Sequence, residues 1–398
     1  MNMASQAADK PLYPYVDCLR GYAVTLVITC HLRYSFPGLP YPIGRLASFG
    51  WHGVQLFFLA SCLTLLMSRR NEAAASPSIL AFYLRRFLRI APMYYCAVAL
   101  YLVLRPPADG IDPGHMLAWM LFANGWDPVT MATTPGWTVV PGGWSIGVEF
   151  SFYLVFPAIA SVVTSLRRSV VFLGLAALGG AAANHILWPY LSARFGSSAA
   201  DNFLYFWLPN QFAVFALGAV VFYLNRSVPL PLKLIIERHS QVALPVLTAA
   251  TAALAYLPAP HWLDLRPAVP TFLAASLMFA AFSLVLAHAE PGLFLNPLAR
   301  AMGKVSFSAY LLHFAVLDLL PTAHPSWFGT AASGWRAIPW FFGSWLVVVA
   351  VTYCLSWCTH QLVERPFIAL GKRALSRPIP TVAAAPLRAA AATKGNTP

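Results

Sequence analysis

Arg20 and His31 lie on one otherwise apolar stretch, residues 16–33, and their types and spacing could do chemistry. About eleven residues apart, they return to nearly the same helix face and stand about 16 Å apart along the axis. An arginine costs about 2.5–3.5 kcal/mol at the centre of a membrane-spanning helix. A stripe holding a guanidinium and an imidazole therefore lines a polar interior, or meets neighbouring helices that satisfy both. Glu149 is the acidic residue set well inside an apolar stretch. With Trp144 as an interfacial anchor, Glu149 lies about 7.5 Å inward, while His31 lies about 24 Å up a core about 30 Å thick. Both then occupy the same half of the bilayer. An imidazole meeting a carboxylate there would form an acid–base unit, although a structural His–Glu pair meets the same spacing.

Two further groups accompany this pair. Asp17 precedes Arg20 by one helical turn, a spacing that suits an i,i+3 ion pair. Arg85, Arg86 and Arg89 open the third apolar stretch, Arg85 and Arg89 on a shared face, with Pro92 one turn later as a kink. Three guanidiniums at a helix start suit bidentate phosphate binding. Positive-inside anchoring of a span produces the same cluster.

The elements that must position these groups are membrane helices. The 398 residues are 59% hydrophobic and 10% charged, with a mean hydropathy of +0.64, far from a soluble globular balance. Ten spans are expected, near residues 16–33, 46–67, 87–104, 144–165, 169–188, 203–224, 242–258, 268–288, 307–320 and 339–362. The fold class is thus an all-α, polytopic helix bundle in the lipid bilayer. The net charge of +13 could suggest nucleic acid, but with the N-terminus inside, 20 of the 26 Lys and Arg residues fall on the cytoplasmic side. The basic charge is a topology signal, and a soluble nucleic-acid binder is excluded. This reading puts a multi-pass protein in the plasma (inner) membrane with both termini cytoplasmic.

Residues 115–124 are apolar but too short to cross, so they are expected as a re-entrant or interfacial piece within an outer loop, 105–143. Residues 1–12 form a cytoplasmic segment too polar for a cleaved signal, residues 13–370 the membrane domain, and the Ala/Pro-rich 371–398 a disordered cytoplasmic tail. The six cysteines fall in apolar segments, which implies neither a disulfide framework nor a metal site.

The same residues carry a family resemblance. Asp17-Cys-Leu-Arg20-Gly21 followed by His31 resembles the opening motif of the membrane-bound acyltransferase-3 family. Gly53-Val-Gln-Leu-Phe-Phe-Leu-Ala-Ser61 resembles its second-span pattern, with Cys62 where members usually have Gly. The run from Phe82 through Arg85, Arg86 and Arg89 to Pro92 resembles its third-span arginine motif, and Trp144-Ser145 through Glu149 to Tyr153 its Trp-Ser motif. Gly303 to Ser306, Tyr310 to His313, and Glu364-Arg-Pro366 resemble its C-terminal motifs.

The resemblance implies transfer of an acyl group, commonly acetyl from cytoplasmic acetyl-CoA, to a hydroxyl of a carbohydrate or glycolipid acceptor at the outer face. Arg85, Arg86 and Arg89 would dock the donor phosphates, with Arg20 next along the path. His31 would act as general base or acyl-carrying nucleophile, with Glu149 orienting it or sharing its proton. Tyr153, Ser306, Tyr310 and His313 would line the same interior, His313 equally well as a packing residue. The rival from another class is a transporter or flippase, which also places ionisable groups inside a bundle. No inverted repeat supports that rival, and the arginines cluster at one face instead of the midplane.

Overall fold

The computed structural model describes residues 13–72, 78–107, 110–128, 138–257, 269–323 and 332–376. The expected N-terminal segment 1–12 lies outside the described residues. Among the described residues the regular elements are all helical: α1 (Pro14–Arg33), α2 (Tyr41–Phe49), α3 (Gly53–Glu72), α4 (Ile79–Leu104), α5 (Pro113–Met120), α6 (Trp144–Val162), α7 (Leu166–Phe195) and α8 (Ser197–Phe206). They continue as α9 (Leu208–Ser227), α10 (Leu230–Ala253), α11 (Val269–Leu286), α12 (Pro297–Lys304), α13 (Ser306–Ala323), α14 (Ala337–Thr359) and α15 (Arg365–Ser376). A π-helical turn, His360–Glu364, joins the last two.

Polar caps set where the apolar helices begin. The side chains of Ser78, Asp112, Ser165 and Asn296 each accept a backbone N–H three residues on, satisfying donors that a helix start leaves open. Proline at the first turn of α1 and α10 costs no helical hydrogen bond.

Helices occupy all ten expected stretches, as an all-helical membrane bundle requires, but the count of ten spans is not confirmed. Among the described residues six helices are long and apolar enough to cross a membrane, and seven if α12 and α13, bent by 82°, act as one. Asp17, Arg20 and His31 dilute the apolar run of α1, and Lys233, Glu237 and Arg238 do the same for α10. The apolar part of α11 is short, Phe272–Leu286. Residues 115–124 do not cross. Eight-residue α5 is about 12 Å long, and the chain then tucks against α6. Asn124 Nδ2 donates to the Gly143 carbonyl at 3.2 Å and Trp126 Nε1 to Ser151 Oγ at 2.8 Å. At the expected start of the tail, α15 runs past residue 371 to Ser376, with Gly371 set against Leu88 of α4. Its basic face, Arg365, Lys372 and Arg373, and its apolar face suit an interfacial helix. Residues 377–398 lie outside the described residues.

Small residues let the backbones of α1 and α12 meet. A Cβ on Gly21 would collide with the Ala299 carbonyl, and one on Gly303 with the Asp17 carbonyl. Close approach through small side chains is how helices associate where lipid is as apolar as the core. Gly303→Val should therefore cost about 1–3 kcal/mol or more by overpacking, read as a lower thermal midpoint in detergent. Gly343→Ala, where a Cβ meets nothing within 4 Å, should leave the midpoint unchanged.

Candidate active site

The expected site residues fall into two connected groups. The first lines a narrow cavity of about 60 Å³ whose polar walls are Arg20, Ser61, Arg89, Ser145, Glu149, Tyr153, Ser306 and Tyr310. Seven of these were marked from sequence; Ser61 was not. The Glu149 carboxylate accepts from Ser61 Oγ at 2.5 Å and from Tyr153 Oη at 2.5 Å. Arg86 lies just behind, its guanidinium 5.6 Å from the Phe82 ring centroid and 5.8 Å from that of Tyr153. Its Nε is buried without a hydrogen-bond partner among the described residues. Neither Arg85 nor Arg86 lines the cavity itself, but Arg86 lies in the electrostatic field of Tyr153 and Glu149. The arginine helix thus turns Arg86 and Arg89 toward the carboxylate and leaves Arg85 to the side.

Arg20 does not close the expected ion pair with Asp17. Its guanidinium donates to Thr64 Oγ1 at 3.2 Å, across to α3. The Asp17 carboxylate instead sits in the shared field of Arg20, Lys304, Arg300 and Arg89. The reason is the bend between α12 and α13, which brings Arg300 and Lys304 against the start of α1. Trp144 is likewise not an outward anchor. Its ring packs 4.2 Å from that of Phe206 and 6.1 Å from that of Phe58, inside the bundle.

The second group corrects the central expectation. His31 does not meet Glu149; its partner is His313. Nδ1 of His31 and Nε2 of His313 lie 3.0 Å apart, and Nδ1 of His313 lies 2.7 Å from the Tyr310 carbonyl oxygen. Hydrogen-bond logic then sets both tautomers. A carbonyl only accepts, so His313 carries its proton on Nδ1 and offers a lone pair at Nε2. His31 must donate from Nδ1, and its own lone pair is left on Nε2. The His31 ring is half-buried, with the Val27 backbone one turn back as its other hydrogen-bonding neighbour.

Neighbouring helices hold this dyad. Phe314 packs 4.3 Å from the His31 ring, and Arg105 lies over the Phe314 ring at 5.9 Å. Arg105 is itself gripped by Asp318 through two hydrogen bonds of 2.7 and 2.6 Å. Tyr101 Oη donates to the Leu311 carbonyl and accepts the Ala315 N–H, bracketing His313 on α13. Trp345 Nε1 donates to Thr29 Oγ1 at 2.8 Å, fixing α14 to α1 beside His31.

Tyr310 joins the two groups. Its hydroxyl accepts from Ser145 Oγ at 2.9 Å and donates to the Gly142 carbonyl at 2.9 Å, and its ring lines the cavity while its backbone carbonyl orients His313. Gly142 adopts φ +73, a conformation that suits glycine. Sequence reasoning did not mark Ser61, Thr64, Tyr101, Gly142 or Phe314. The signal for Ser61 was present, since it ends the second-span motif, whereas nothing in the spacing pointed to Tyr101 or Phe314.

An imidazole with a defined lone pair, beside a cation-rich cavity, can take a proton from a hydroxyl or attack a carbonyl carbon. Comparison with known proteins agrees with such chemistry. The chain is 27% identical to acyltransferase MdmB of Streptomyces mycarofaciens, over 92% of this chain and 94% of that protein. It is 28% identical to peptidoglycan O-acetyltransferase OatA of Listeria monocytogenes, over 42% of this chain and 28% of that protein. No solved structure matches the chain. The model of the acyltransferase-3 family, described as an acyltransferase domain, matches residues 13–358, nearly the whole chain, and the protein therefore belongs to that family of membrane acyltransferases.

Proposed function

We propose that the protein is an O-acyltransferase that moves an acyl group, acetyl, from acyl-CoA to a hydroxyl of a carbohydrate or glycolipid acceptor across the plasma (inner) membrane. Both termini face the cytoplasm in this reading, so the cavity end bearing Arg20 and Arg89, with Arg86 behind it, faces the donor. The observation that carries the proposal is the His31–His313 hydrogen bond, with His313 held by the Tyr310 carbonyl. It leaves His31 Nε2 as the basic atom.

In the direct route, Nε2 removes the acceptor hydroxyl proton as the oxygen attacks the thioester carbonyl carbon. The carbon–sulfur bond breaks, and the imidazolium returns its proton to the departing thiolate. In the alternative route, Nε2 attacks the thioester carbonyl carbon first and the carbon–sulfur bond breaks to release the thiolate; the acceptor hydroxyl then displaces the acyl group from the ring, and its proton goes to the thiolate. In both, His313 stabilises the charged ring by accepting from Nδ1. Arg86 and Arg89 meet the donor phosphates as planar forks, and Glu149 with Ser61 and Tyr153 keeps the arginines placed.

The test is purified protein in nanodiscs with radiolabelled acetyl-CoA, following thiol release and label transfer to oligosaccharide or glycolipid acceptors. Thiol release accelerated by a hydroxyl acceptor supports the proposal, and intact acetyl-CoA under all conditions refutes it. Arg89→Lys should raise the KM for donor about tenfold or more, since a point charge does not replace the bidentate fork. An unchanged KM would mean that Arg89 serves only packing and topology.

A further inference from the structure

A second basic cavity lies at the end of the bundle where α1 begins. It encloses about 480 Å³ and shares no lining residue with the site above. Arg70 at the end of α3, Arg226 at the end of α9 and Lys233 at the start of α10 converge on it. No carboxylate among the described residues lines it. Among the described residues none of these three cations is in an ion pair, and the Arg226 guanidinium rests over the Phe222 ring at 5.6 Å.

Three polar atoms lining the same cavity are also poorly satisfied. Tyr15 Oη, Asn225 Oδ1 and His288 Nε2 are buried without a well-formed hydrogen bond among the described residues, the Asn225 side chain being the polar neighbour of the Tyr15 hydroxyl. Tyr15 is only 7% exposed, so its hydroxyl cannot turn to bulk water. Buried polar atoms are nearly always satisfied, and an orphaned His288 Nε2 beside a poorly satisfied Tyr15–Asn225 pair on one basic cavity implies a missing partner. His288, in the loop after α11, is held below the usual histidine range by burial and by Lys233, with Glu237 opposing. It therefore offers a neutral hydrogen-bonding ring beside the cations.

We propose that this cavity binds a phosphate group. The tetrahedral anion suits the chemistry: its oxygens accept from Arg226, Arg70 and Lys233 with charge assistance, and from the Tyr15 hydroxyl and the His288 ring as neutral donors. Asn225, whose amide carries donor and acceptor together, completes the wall. Two sources present this group at such a place: the headgroup of an anionic lipid, or the phosphomonoester of a soluble nucleotide such as the 3′-phosphate of CoA.

The experiment uses full-length protein in phosphatidylcholine nanodiscs, wild type against the double variant Arg226→Gln/Lys233→Gln and against Tyr15→Phe, which keeps the ring and removes only the hydroxyl. Calorimetry compares CoA with dephospho-CoA, which differ by the 3′-phosphate alone. Thermal midpoints are taken with and without added phosphatidylglycerol. A preference of tenfold or more for CoA in the wild type, lost in the double variant and reduced in Tyr15→Phe, identifies the nucleotide phosphate. Equal affinities for both nucleotides, with a phosphatidylglycerol-dependent rise in midpoint that the variants lack, identify the lipid headgroup. If the folded Tyr15→Phe and double variants match wild type in both measurements, the cavity holds no phosphate and the proposal fails. These are binding readouts, so they stand apart from whether the protein transfers acyl groups.

Discussion

His31→Ala is expected to lower acyl transfer by about 10²–10⁴-fold, the range for losing a positioned general base, and by more if the ring carries the acyl group. The protein should still fold and bind donor, because His31 touches the dyad and Phe314 and is no part of the arginine cavity lining. The partner residue sharpens the test. His313→Ala removes the acceptor of the His31 Nδ1–H, so the ring loses its fixed tautomer and its charged form loses a hydrogen bond. The acid limb of the pH–rate profile should then shift to lower pH, since a less stabilised imidazolium releases its proton more readily. His313→Gln, which restores an acceptor, should recover part of the rate. Radiolabelled transfer measured across pH in nanodiscs checks all three variants. If His31→Ala keeps more than about a tenth of the wild-type rate, which is less than a lost general base costs, the dyad is structural and the base lies elsewhere.

Glu149→Gln should be the next most damaging change, for a reason different from the one its sequence position suggests. The carboxylate receives Ser61 and Tyr153 and faces the arginine cavity, and hydrogen bonds to a charged group contribute about 1.5–3 kcal/mol each. An amide offers one acceptor oxygen and no charge, so Arg20 and Arg86 lose the anion that offsets them. Removing one partner from such a buried cluster leaves uncompensated charge behind. Turnover should fall at least about tenfold and the thermal midpoint should drop, as expected for losing about 1.5–3 kcal/mol. The acid limb of the pH–rate profile should stay at its wild-type position, because His31 takes its support from His313. A limb displaced as far as in His313→Ala would show instead that Glu149 supports His31.

These two predictions rest on different kinds of information. Hydropathy and charge placed the helices, since lipid demands long apolar stretches with internally paired backbones and sorts Lys and Arg to one side. Motif spacing marked His31, Glu149 and the arginines, and helical rise placed them in depth along the bundle axis. Depth is a one-dimensional quantity. It brought His31 and Glu149 to one level, yet left open which helices stand beside which.

That lateral arrangement comes from close packing at Gly21 and Gly303 and from single cross-helix hydrogen bonds such as Tyr101 to Leu311 and Trp345 to Thr29. Between helices in lipid no hydrophobic gradient selects the neighbour, so shape and a few polar contacts decide it, and these leave no period in the sequence. Sequence alone therefore determined an all-helical membrane protein with a basic face, an intramembrane histidine and a buried carboxylate. Only the tertiary structure decided that the bend after Lys304 brings Arg300 and Lys304 to Asp17, that α13 carries His313 to His31, and that Glu149 belongs to the arginines.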